Sequence, residues 1–175
     1  YEEGILTAYR DLPEADVIIF NIGNRPVHWG DMPKKLGYLD LMHVASWQIS
    51  FKRESIVNNN VYFDEHMGAG SGNGAEEEFR FLTDCRKNGL AIYYVPFVIA
   101  DVAQTKSTWF KGYNEEFFIN RGNTTRYIMG YVPAVLYAAY YSIRKRHQFD
   151  SDISWFKAFR LIMKGIHENR LGKKK

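Results

Sequence analysis

The 175 residues contain one cysteine and five prolines. The lone thiol, Cys85, excludes an internal disulfide framework and any cysteine-rich zinc site, and it fits a reducing compartment. The five histidines stand at 28, 43, 66, 147 and 167. No two of them are four apart on one helical face, so no helical zinc pair is present. Ser71 and Ser107 lack the His and Asp arrangement of a serine hydrolase. No internal repeat is visible. The longest uncharged run, residues 127–143, has seventeen residues. That is the bottom of the transmembrane range, and Gly130, Pro133 and the tyrosine and serine positions weaken a spanning reading. There is no initiating Met and no signal-peptide pattern, so the expectation is a piece of something longer.

Aromatic rings are plentiful, at 16%, with 12 Tyr, 12 Phe and 4 Trp. The hydrophobic fraction of 46% and charged fraction of 25% are those of a folded domain. The net charge of +3 is unevenly spread. Residues 144–175 carry +7 and the rest −4. A mildly acidic body with a basic tail suggests an anionic partner, and a membrane surface is the expected one. A nucleic-acid reading has charge behind it and no motif.

Periodicity predicts a helix over 1–12, with Ile5, Leu6, Tyr9 and Leu12 on one face, ended by Pro13. Residues 16–21 read as a strand buried on both faces. A second strand is expected around 47–51 and a helical turn over 52–60. Residues 76–88 show helical spacing with Gly89 as the C-terminal cap. Residues 90–95 form a strand stopped by Pro96, with 97–102 a further extended run. Residues 105–121 read as loop, 124–146 as a helix kinked by Pro133, and 151–170 as a second helix. Alternating strands and helices argue an α/β fold with a mixed sheet flanked by helices. Two domains are expected, 1–122 and a helical, basic 123–175. Within the latter, Ile153, Trp155, Phe156, Phe159, Ile162 and Ile166 alternate with Lys157, Arg160 and Lys164. That pattern suits an interfacial amphipathic helix, or one that packs its apolar face on the domain.

The least ordinary block has glycines at 68, 70, 72 and 74, followed by Glu76, Glu77 and Glu78. Its spacing is neither the dinucleotide G-x-G-x-x-G nor a phosphate loop with Gly-Lys-Ser/Thr. Carboxylates at a helix start sit where the macrodipole favours negative charge. They serve there as first-turn acids or, where a hydroxyl approaches, as a general base. Two carboxylates such as Glu65 and Glu78 also suit glycoside hydrolysis.

The order Phe63-Asp64-Glu65, Gly68-Ala69-Gly70, Gly74-Ala75-Glu76-Glu77-Glu78, Phe81-Leu82, Gly89 and Ile92-Tyr93-Tyr94-Val95-Pro96 resembles the acceptor-side half of family 2 glycosyltransferases. Members read F-D-E-x-F-G-x-G, then G-E-D or G-E-E, then a helix ending in K-x-G and a strand with Y-x-V-P. The likeness extends over about residues 39–122. Ser107 to Phe118 and Arg121-Gly122 are similar to a bacterial polysaccharide-synthesis subgroup. The family glycine before the acid pair is Glu76 here, its Asp is Glu78, and Asp101 stands near the place of a family His.

The resemblance implies a partial GT-A-like fold, cut just after the Asp-x-Asp motif of the donor half. It also implies an inverting hexosyl transfer from a nucleotide-sugar donor to a saccharide or lipid-linked saccharide acceptor. Glu78 would be the base and Glu77 would orient acceptor hydroxyls. Gly68, Gly70 and Gly74 would line the donor sugar, Trp109 and Phe110 would stack on a sugar face, and Arg121 would meet phosphate. A divalent cation, Mg or Mn, is expected through the missing Asp-x-Asp, with no ligand in this chain. The implied location is cytoplasmic, peripheral on the inner membrane face. The alternative is a non-catalytic carbohydrate- or membrane-binding module.

Overall fold

The computed structural model describes residues 2–24, 29–68, 71, 76–103 and 112–173. Two compact units divide the chain. One draws on Tyr1–Asp64 and Glu77–Thr105, the other on Glu65–Glu76 and Lys106–Lys175. The boundary expected after residue 122 falls inside a continuous helix, Glu115–Met129. The described residues form a mixed α/β structure with a four-stranded open sheet and six α-helices.

The first unit is built on β1 (Val17–Ile22), whose six residues are all buried, as a run without polar alternation requires. Strand order is β2-β4-β1-β3, with β2 at Lys34–Lys35, β3 at Ile49–Phe51 and β4 at Ile92–Ala100. β4 is parallel to β1, while β3 and β2 are antiparallel edges. The expectation that Pro96 stops this strand is corrected, because β4 runs through it. Phe20 pairs with Val95 and the next β1 residue, Asn21, with Val98. Pro96 and Phe97 form the bulge between, where a missing N–H breaks no ladder bond.

Helix α1 (Glu2–Asp11) sets Ile5, Ala8 and Tyr9 against Ile18, Phe20, Val95 and Ile99. Helix α2 (Arg53–Asn58) is short. Asp16 ties it to the sheet: one carboxylate oxygen accepts from Ser55 Oγ at 2.6 Å and the other from the Ala91 amide at 2.8 Å. Helix α3 (Glu77–Lys87) buries Phe79, Phe81, Leu82, Thr83 and Cys85. It ends as expected at Gly89, whose φ of +81° favours glycine. The Leu90 amide returns to the Cys85 carbonyl and the Gly89 amide to Arg86, a Schellman cap.

The second unit packs α4 (Glu115–Met129), α5 (Tyr131–Arg144) and α6 (Trp155–Glu168) around Phe118, Ala138, Phe149, Ala158 and Ile162. Two expectations are corrected here. Residues 115–121 belong to a helix rather than a loop, capped by Asn114 Oδ1, which accepts from the Phe117 amide at 2.9 Å. The break between the next two helices lies at Gly130, with φ +86°. Pro133 sits in the first turn of α5, where its missing donor costs no helical bond. α4 and α6 cross at Gly122 and Gly165. A Cβ on either would run into the opposite backbone, at the Ile162 or the Ile119 carbonyl. Asn123 is buried, donates to Ile119 O and accepts from the Arg170 amide at 2.7 Å, so the Asn123-Thr124-Thr125 sequon is structural. Among the described residues no helix is long and apolar enough to cross a membrane.

Candidate functional site

The first turn of α3 carries Glu77 and Glu78. Their side chains are half-buried, at the end of a helix where unsatisfied N–H groups and the dipole both attract negative charge. Glu78 is oriented by a contact that the sequence did not advertise: its Oε1 accepts from the Ser46 amide at 3.2 Å. Ser46 lies in the short 3-10 turn Ser46–Gln48, and this turn is itself fixed to β1. Gln48 is 2% exposed. Its Oε1 accepts from the Ala45 amide and its Nε2 donates to the Phe20 carbonyl, both at 3.0 Å. A chain of bonds therefore runs from the backbone of the central strand through Gln48 to the turn that meets Glu78. Phe63, of the Phe-Asp-Glu segment, lies flat on Phe81 of α3 with ring centroids 4.3 Å apart. Between β1 and β4, Asn21 Nδ2 donates to the Tyr94 hydroxyl at 2.8 Å.

In the other unit Arg121 reaches Glu76, with Nη1 3.1 Å from the carboxylate oxygen. The same guanidinium donates to the Tyr137 hydroxyl at 2.7 Å and lies over the rings of Tyr141 and Phe117 at 4.6 and 5.0 Å. Burial works against its charge, yet Glu76 and the two tyrosines outweigh this and its pKa is raised. The resemblance gives Arg121 to a phosphate, and in the structure its guanidinium meets a carboxylate, a tyrosine hydroxyl and two ring faces. It is clasped by Glu76 and an aromatic cage. Glu76 itself has φ +90°, the left-handed region that favours glycine.

Gly68 is described, also with a positive φ of +85°, and Ser71 Oγ donates back to its carbonyl at 2.9 Å. Gly70, Gly74, Trp109 and Phe110 lie outside the described residues. Cys85 is fully buried and its thiol is pushed up to about 12, chiefly by burial, so it is an inert apolar residue. Among the described residues no three His, Cys, Asp or Glu side chains come together to hold a metal ion. The residues that sequence reasoning missed are Ser46 and Gln48. A lone glutamine between Trp47 and Ile49 carries no signal of its own burial.

Chemically, the first unit presents a carboxylate held by a backbone amide on a rigid helix start and partly open to solvent. Such a group can accept a proton from a hydroxyl brought within hydrogen-bond reach. No family model matches the chain, no curated protein matches its sequence and no solved structure matches its fold.

Proposed function

We propose that the chain is the acceptor-side part of an inverting, nucleotide-sugar-dependent glycosyltransferase of the family 2 type, with Glu78 as general base. The observation that carries the reading is the placement of Glu78 on the first turn of α3, oriented by the Ser46 amide. The motif order supports it, since the glycine segment, the acids, the capped helix and the Tyr-Tyr-Val-Pro strand follow one another as in that family. Glu76 at φ +90° supports it as well, because it stands where the family has glycine.

In the step assigned here the acceptor hydroxyl gives its proton to the Glu78 carboxylate as its oxygen bonds to the anomeric carbon. The nucleoside diphosphate departs from the opposite face with the bonding electron pair, and the configuration inverts. Glu77 is assigned to orient acceptor hydroxyls. The cation that the resemblance implies would be held through the Asp-x-Asp motif of the donor half, and no step is routed through it.

In the full-length enzyme, Glu78→Gln is expected to lower kcat by about a hundred- to ten-thousand-fold. Donor affinity, measured by calorimetry, is expected to stay at the wild-type value. Wild-type turnover in that variant would remove the base assignment.

A further inference from the structure

The helical unit holds a face that its own packing leaves uncovered. The single charged residue of α5 is Arg144, at its last position. Ala134, Ala138 and Tyr141 are buried in the core it shares with its neighbours. Val132, Leu136, Tyr140 and Ile143 recur at spacings of four, four and three, which places them on one stripe opposite the buried one. These four are 66%, 67%, 53% and 55% exposed. A helix that is apolar all round needs an apolar environment on both sides. The remaining exposed large apolar side chains among the described residues of this unit are Tyr131, which lies off the stripe and meets His167 of α6, and Trp155 and Phe156 in the first turn of α6.

Charge says what covers the stripe. No carboxylate occurs from 127 to 149, and Arg144, Lys145 and Arg146 follow directly on the stripe's last residue. Arg144 and Arg146 are exposed. An aliphatic and aromatic strip running into three cations, with an exposed Trp-Phe pair next to Lys157, matches an anionic lipid interface. The acyl boundary takes the strip, the headgroup phosphates take the cations, and a Trp ring suits the layer between. We propose that the outer face of α5, together with Trp155 and Phe156, seats the protein on an anionic bilayer surface, lying in the interface. The periodicity of 151–170 alone assigns that role to α6. The structure moves it, because α6 spends Ala158, Ile162, Gly165 and Ile166 on the core. The inference rests on the helical unit and stands or falls apart from the glycosyl-transfer reading, since vesicle binding and sugar transfer are read separately.

The full chain would be co-sedimented with vesicles of phosphatidylcholine alone and of equal parts phosphatidylcholine and phosphatidylglycerol. The mixed vesicles are expected to bind it about ten-fold more tightly, with the excess lost as salt is raised. Leu136→Glu with Ile143→Glu is expected to lower binding to mixed vesicles by about ten-fold or more. Arg144→Gln, Lys145→Gln and Arg146→Gln together should abolish the preference for anionic lipid. Trp155→Ala with Phe156→Ala tests the α6 part of the proposed seat should the α5 pair fail to fold, which far-UV circular dichroism reports. Absence of binding to mixed vesicles, or undiminished binding by a folded stripe variant, overturns the proposal. So does a dimer that Leu136→Glu with Ile143→Glu makes monomeric while wild type ignores vesicles, which would give the stripe to a second copy.

Discussion

Glu76 holds a backbone conformation that an L side chain adopts at a cost of roughly 1–3 kcal/mol, with φ at +90°. Its carboxylate meets Arg121, whose other contacts are a tyrosine hydroxyl and two ring faces. Both side chains are largely enclosed, at 27% and 21% exposed, so the pair is shielded from solvent and holds the strained residue in place. Glu76→Ala and Glu76→Gly both delete the carboxylate and differ in φ preference. The glycine variant is expected to be the more stable by about 1 kcal/mol in urea unfolding, the reverse of the usual order, and equal stabilities would refute the strain. Arg121→Met, which removes the guanidinium facing Glu76, is expected to cost about 3 kcal/mol. Cys85 gives a pH test. Its thiol is raised from 9.0 to about 12 by burial, so the unfolded chain loses this proton first. Its contribution to stability is full below pH 9 and is lost as pH rises towards 12. Native protein should resist thiol reagents at neutral pH until it is unfolded, and fast labelling of the folded chain would contradict the burial.

At the scale of elements, termini were more legible than passages through irregular backbone. The apolar run of β1 and the Gly89 cap of α3 are local signals, written in neighbouring residues, and both stand in the structure. β4 crossing Pro96 was not legible, because the bulge that tolerates proline exists only against β1. The two-lysine strand β2 has no pattern of its own and is defined by pairing with Tyr93 and Tyr94. The α4 start was hidden because Phe117 and Phe118 are adjacent, which masks helical period, and the local signals were Asn114 and the first-turn acids Glu115 and Glu116. The crossing of α4 and α6 depends on Gly122 and Gly165. Gly122→Ala places a methyl group against a carbonyl on a helix that cannot yield locally. It is expected to cost about 3 kcal/mol, at the upper end of overpacking, despite alanine's better helix propensity. A stability gain, by thermal unfolding of the same chain, would show that the helices do not approach so closely.

Across the whole molecule, each unit has its own core, and each core sets where the backbone is best protected. In the first unit β1 is buried along its length and flanked on both sides, while β2 is an exposed edge of two residues. In the second the α4–α6 crossing is the most closely packed place. Hydrogen–deuterium exchange followed by mass spectrometry should therefore leave β1 and the segments around Gly122 and Gly165 as the slowest peptides of their units. Exchange of β1 as fast as β2 would contradict the arrangement.

The candidate site divides in the same way. That Glu77 and Glu78 open a helix after a glycine segment is a matter of local spacing, and the sequence by itself determined it. It also determined the buried character of β1 and Cys85 and the end of α3 at Gly89, since each depends on residues within a turn or two of one another, and composition alone set the basic C-terminal segment apart from the acidic body. The bond from Ser46 to Glu78, the support of Gln48, the clasp of Arg121 by Glu76 and the side of α5 left open were decided by tertiary structure alone. They join residues 32, 28, 45 and more positions apart, and no local preference encodes which distant backbone amide or ring a side chain will meet. Amphipathic spacing shows that a helix has an apolar face. Only packing decides which helix spends that face on the core and which keeps it outward.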